Sequence, residues 1–219
     1  MASTDSVTSV ALVDDHCVVR AGIKHILEES GEFEVVVEAG DGRTAVAQVL
    51  RARPQIVLME VSLPKLSGVE ATRQILDAFP ACKIVILSQH ESSNVIEAAL
   101  RAGATGYVHK SAEASEVVTA ARAASKGKGY LSPGIASQVV HALAQPPEER
   151  ALDGASLSRR EREVLQLVAE GLSSKEVAAE LGVSTRTAET HRGSLMNKLG
   201  IHKVAGLVRF AVREGIVTP

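Results

Sequence analysis

Five positions in the first half of the chain could act on one ligand: Asp14, Asp15, Glu60, Ser88 and Lys110. Each follows a short apolar run: Val7–Val13 before the acidic pair, Gln55–Met59 before Glu60, Lys83–Leu87 before Ser88 and Gly106–His109 before Lys110. Three carboxylates, one hydroxyl and one ammonium suit a hard divalent cation beside a phosphoryl group. Carboxylates and waters would hold Mg2+, and the Lys and Ser side chains would take phosphate oxygens. An acidic pair alone carries little meaning, since such pairs often only complement a helix dipole. Convergence of all five is what makes the pattern informative.

The intervening segments must bring these positions together. The apolar runs are the length of strands buried on both faces, and Phe33–Glu38 is a further β-branched run. Between them lie helical patterns over Cys17–Glu29, Thr44–Arg51, Val69–Phe79, Val95–Arg101 and Ser115–Ser125. Five strands alternating with five helices predict an α/β fold, a doubly wound five-stranded parallel sheet with helices on both faces. In such a sheet the carboxyl ends of the strands share one crevice, which would collect the five side chains. Pro64 and Gly68 punctuate the loop after Glu60.

Composition sets the outer limits. The 219 residues are 45% hydrophobic and 23% charged, enough for two ordinary globular domains. Aromatics make up 2% and Trp is absent, so Ala, Val, Leu and Ile must build the cores. A net charge of −2 excludes a uniformly basic coat, yet ten Lys/Arg against seven Asp/Glu from Ala155 onward leave that part at +3 and the remainder at −5. No run of about 18 apolar residues suggests a membrane span, and a cytoplasmic location is expected. Cys17 and Cys82 have no metal-ligand spacing and read as reduced thiols.

The second half has a different period. Gly127–Pro133 is rich in turn residues, Gly134–Ala144 has helical character, and Gln145–Ala155 (QPPEERALDGA) has the Pro and charge content of an interdomain linker. The expected division is 1–128, a linker with one helix over 129–155, and 156–219. Ser158-x-x-Glu161 and Ser173-x-x-Glu176 are capping boxes that start two helices, and Gly171 ends the first. Gly182-Val183-Ser184 is a three-residue turn into a helix over Thr185–Leu199, a helix-turn-helix pattern. Ala188, Leu195 and Leu199 would face inward. Arg186, Glu189, Thr190, Gly193 and Asn197, with His191 beside them, form the side that would face a DNA major groove. Lys175, Arg192 and Lys198 are candidates for phosphate contacts.

VALVDDH, LMEVSLPKLSG, VILS and GATGYVHKS resemble the receiver domain of two-component response regulators, with the flavodoxin-like fold that implies. In that family the acidic pair and the acidic residue after the third strand bind Mg2+, and the latter accepts a phosphoryl group from a histidine kinase. The resemblance assigns Asp14, Asp15 and Glu60 to the metal, Ser88 and Lys110 to sensing the phosphoryl group, and Tyr107 to the switch. LSRREREVLQLVAEGLSSKEVAAELGVSTRTAETHRGSLMNKLG resembles the LuxR-type helix-turn-helix, so the whole chain is similar to NarL/FixJ-family transcriptional regulators. That family binds promoter half-sites in double-stranded DNA as a homodimer. Its fourth helix, here His202–Glu214, would pair copies through Val204, Leu207 and Val208. Gly193 stands where the family often has a larger polar residue.

Position 60 departs from the family, which has Asp there. The extra methylene of Glu60 moves the carboxylate by roughly 1.3–1.5 Å, and misplacement by about 1 Å can slow an in-line transfer on the order of 100-fold. The expectation is therefore a DNA-binding transcriptional regulator, not an enzyme, whose receiver is independent of phosphorylation or locked in an active-like state by Glu60. A conventional phospho-switched chain with its acceptor Asp replaced by Glu is the alternative. A protein-interaction adaptor that does not touch DNA is another. An Mg2+-dependent phosphotransferase would need Asp at the nucleophile position and again two residues on, where this chain has Glu60-Val61-Ser62.

Overall fold

The computed structural model describes residues 7–144 and 157–217. The chain runs β1 (Thr8–Val13), α1 (Cys17–Glu29), β2 (Phe33–Ala39), α2 (Gly42–Ala52), β3 (Ile56–Met59), α3 (Gly68–Ala78), β4 (Lys83–Ser88), α4 (Ser93–Arg101), β5 (Gly106–His109) and α5 (Ala114–Ser125). All neighbouring strands are parallel, in the order β2-β1-β3-β4-β5 with a further strand β6 (Tyr130–Leu131) beside β5. The sheet therefore has six strands where five were expected. β6 has only two residues, too short to carry an alternating pattern. It leads into α6 (Pro133–Ala144), which packs on α4 and places Ile135 in the core. Residues 130–135 thus belong to the first domain's packing, ahead of the QPPEERALDGA linker, which lies outside the described residues.

Both faces of the sheet are covered, which is why its strands read as unbroken apolar runs. Ala11, Val13, Val57, Met59, Ile84 and Ile86 point into one layer with Ala45, Ala71, Ile75 and Ile96 of α2–α4. Val10, Leu12, Ile56, Leu58, Val85 and Leu87 alternate to the other, against Ile23 and Leu27 of α1 and Ala120 and Ala124 of α5. β1 pairs with β2 on one side and β3 on the other, so the connections diverge above β1 and open a crevice at its carboxyl end.

The second domain consists of α7 (Arg159–Ala169), α8 (Ser174–Leu181), α9 (Thr185–Leu199) and α10 (Val204–Arg213) around its own core. Ser158–Glu161 and Ser173–Glu176 form complete capping boxes. Gly182 ends α8 in the left-handed region, with φ +66°, and Ser184 caps α9 by accepting from the Thr187 N–H. Ala188 and Leu195 hold α9 to α7 and α8. The final helix begins at Val204, two residues later than its apolar pattern suggests, with Lys203 at the N-cap.

Candidate functional site: the receiver crevice and the helix-turn-helix

The strand ends deliver Asp14, Glu60, Ser88 and Lys110 to one point. Glu60 is buried, and its amide is tied to the Val13 carbonyl across the sheet. α3 starts close behind it: a Cβ on Gly68 would lie 1.8 Å from the Glu60 carbonyl oxygen, so only glycine fits there. The Glu60 side chain curls back over its own loop. Oε1 accepts from the Val61 N–H at 2.6 Å, the Ser62 N–H at 3.2 Å and the Ser88 hydroxyl at 2.5 Å. Oε2 pairs with Lys110 Nζ at 2.5 Å. Four donors thus converge on one carboxylate.

Lys110 also reaches Asp14 Oδ2 at 2.5 Å, bridging the two carboxylates. Burial alone would lower its pKa, but the hydrogen bonds and charges of Asp14 and Glu60 outweigh that and hold the ammonium above its ordinary range. Asp14 Oδ1 accepts from the His16 N–H at 2.9 Å, and Arg20 donates to the Asp14 carbonyl. Tyr107 is fully buried. Its hydroxyl donates to the His90 carbonyl at 2.7 Å, and burial pushes the phenol pKa up.

The acidic donors divide into two sets. Asp14, Asp15 and His16 place ligand atoms within 4.8 Å of one another, and Glu60 stands outside that group. Its oxygens are turned to Ser88, Lys110 and its own loop. Asp14 and Asp15 could serve a cation that keeps most of its waters, while the Glu60 oxygens are engaged by Ser88, Lys110 and the loop amides.

In the second domain the outward face of α9 is open: Arg186, Glu189, Thr190, Gly193 and Asn197 are exposed, and His191 and Arg192 are half-buried. Lys175 is exposed at the start of α8. Lys198 is exposed as well, and its Nζ pairs with Glu161 Oε2 of α7 at 2.7 Å. Ser194 donates to the other oxygen of Glu161 at 2.6 Å. On α10, Val204 is exposed and Val208 half-buried, but Leu207 is wholly buried among its own domain's side chains. It cannot form a partner contact from there, so the stripe expected to pair two copies reduces to Val204 and Val208.

Sequence reasoning missed the contact between the two domains. Gln166 of α7, 2% exposed, donates from Nε2 to the Leu63 carbonyl at 2.7 Å and accepts on Oε1 from the Ser67 N–H at 2.6 Å. It therefore grips both ends of the loop that follows Glu60. Glu170 accepts from the Lys65 N–H, and Arg162 donates to Glu70 at 2.8 Å. Arg43 of α2 faces Glu163 of α7 and Glu180 of α8 at 3.6 and 3.2 Å. Ser62 bonds His90 Nε2 at 2.7 Å and donates to the Gly215 carbonyl. No periodic signal marks such residues, since their partners lie a hundred positions away.

Residues 10–122 match the response regulator receiver domain, and residues 155–211 match the bacterial regulatory proteins of the luxR family. The chain is a luxR-family response regulator. Within that family, the regulator is 38% identical over 210 residues to the transcriptional regulatory protein MctR of Rhizobium johnstonii, covering 95% of each chain. A LuxR-family two-component response regulator from Aurantimonas sp. is 36% identical, with a TM-score of 0.61 over 64% of the regulator and 100% of that chain. RcsB from Salmonella enterica serovar Typhimurium, solved bound to a promoter with the phosphomimetic BeF3−, is 26% identical. It covers 93% of the regulator and 97% of that chain, with a TM-score of 0.62. The regulator is thus a transcriptional regulator of the two-component type. Among the described residues, no helix is long and apolar enough to cross a membrane.

Proposed function

We propose that the regulator binds promoter half-sites in double-stranded DNA through α9, and that Glu60 holds its receiver in an active-like state without phosphorylation. The observation that carries the second part is the set of donors on the Glu60 carboxylate: Ser88 Oγ, Lys110 Nζ and the Val61 and Ser62 N–H groups. Ser88 and Lys110 are the residues that the family resemblance assigns to sensing a phosphoryl group. A permanent anion already saturates them, and the extra reach of glutamate puts it there. Asp14 and Asp15 remain able to hold Mg2+, with Lys110 competing for one oxygen.

On α9, Arg186, Glu189, Thr190 and Asn197 are the groups placed to reach base edges, with Lys175 and Arg192 on phosphates. Gly193 leaves a gap in that face, and His191 lies at its margin. Two copies pair on DNA through Val204 and Val208. The regulator acts in the cytoplasm, as a binding protein and not an enzyme, and any kinase or other protein partner acts through the receiver.

Sedimentation of the purified protein with Mg2+, before and after addition of beryllofluoride, tests the reading. The native protein is expected to keep its mass, while the Glu60→Asp variant shifts on adding the ligand. A native protein that shifts would mean that Glu60 leaves the phosphoryl site open, and the reading falls.

A further inference from the structure

The two domains are docked, yet the face of α9 is open. Docking uses α7, Glu180 at the end of α8 and the segment just after α10: Gln166 on the loop at 63–67, Arg162 on Glu70, Glu170 on Lys65, Glu180 on Arg43, and Gly215 on Ser62. The second-domain acids Glu163, Glu170 and Glu180 all take partners from the receiver. The basic side chains engaged there, Arg159 and Arg162, both belong to α7. Lys175, Arg186, Lys203 and Arg209 stay exposed. A mask over the DNA-reading surface would do the opposite, covering basic groups of α8–α10 and freeing the acidic side. Burial also marks the contact as specific: Glu70, Glu163 and Gln166 are each at most 3% exposed, and each is hydrogen-bonded across the interface.

We infer that the docked form is the DNA-binding form, with α7 braced on the loop that Glu60 organises, and that undocking weakens DNA binding. This rests on the reading of α9 as the DNA-reading helix. Glu60 orders the start of the loop through the Val61 and Ser62 N–H groups, and Gln166 takes the Leu63 carbonyl and Ser67 N–H just beyond. The brace fixes the direction in which the receiver presents α9. Two receivers then offer two helices in one geometry, and the entropy of orienting them is not lost again on binding.

The test begins with the full-length native protein and a pool of randomised double-stranded DNA, from which a binding duplex is selected. Failure to select any duplex sinks the reading of α9 itself. With a selected duplex in hand, Arg43→Glu and Gln166→Ala are compared with the native protein. Arg43 lies on the receiver, so its variant leaves the helix-turn-helix unaltered. Small-angle scattering should show both variants expanded, and affinity for the duplex should fall by about tenfold, within the ordinary range of coupling between sites. Expanded variants with raised or unchanged affinity overturn the inference, because docking would then be a mask or irrelevant. Variants that stay compact overturn it too, since these contacts would not hold the dock.

Discussion

Glu60 Oε2 lies 2.5 Å from Lys110 Nζ, an ion pair closed into the carboxyl edge of the sheet. Lys110 also binds Asp14 at 2.5 Å, so one ammonium separates two buried carboxylates.

Lys110→Met should therefore be costly. Removing the cation leaves Glu60 and Asp14 as neighbouring buried anions, and stripping one partner from such a site costs about 3–5 kcal/mol. Urea unfolding followed by circular dichroism measures it, with Lys110→Arg expected to recover part of the loss. The Lys110 pKa is raised on folding, so its contribution is complete below the unfolded value of 10.5 and fades as pH rises through the folded value. The native protein should lose stability at alkaline pH over a range where the Met variant is flat.

Glu161 gives the second domain the opposite dependence. Burial would raise its carboxyl, but hydrogen bonds from Lys198, Ser194 and Ser158 bring it down to about 2 from 4.5. A pKa depressed on folding contributes stability above the unfolded value and loses it as pH falls from 4.5 toward 2. Acid titration of helicity should show that loss in the native protein. Glu161→Gln should be less stable at neutral pH and flatter across the same window.

Gly68→Ala is expected to disrupt the crevice from behind. The new methyl would meet the Glu60 carbonyl oxygen at 1.8 Å, backbone that cannot rotate away. A loss of about 3 kcal/mol or more follows from overpacking of this kind. A denaturant midpoint equal to that of the native protein would contradict the close approach.

Gly193 is the contrasting case, since nothing lies within 4 Å of a Cβ there and the residue is mid-helix. Gly193→Ala should stabilise α9 by about 0.5–1 kcal/mol through backbone entropy. Thermal unfolding of the second domain measures the gain, and an unchanged or lower midpoint would argue against a helical backbone at this position.

Much of the fold was legible because strands buried on both faces leave unbroken apolar runs, and the residue ending each run sits at a predictable edge. Asp14, Glu60, Ser88 and Lys110 could be brought together on that basis alone. The reach of Glu60 toward Ser88 and Lys110 follows from its longer side chain, but its bonds to the Val61 and Ser62 N–H groups depend on loop geometry that no sequence pattern shows. Leu207 misled for a related reason: an apolar stripe on a terminal helix looks the same whether it meets a second copy or its own core. The pairing of Lys198 with Glu161 was hidden, because Glu161 already had a visible role in a capping box. The interdomain contact left no trace, being made by an amide and by charges whose mates are distant in sequence.

The proposed role of Glu60 also changes what limits the signal in time. A phosphoryl group on a carboxylate is lost to hydrolysis, so a conventional receiver carries a clock that resets each molecule. The carboxylate of Glu60 is part of the chain and has no such clock. On the proposed reading, in which Glu60 keeps the receiver active-like, the duration of the response is the lifetime of the polypeptide, and its strength is the number of copies present. Control then passes from the chemistry of one side chain to synthesis and proteolysis.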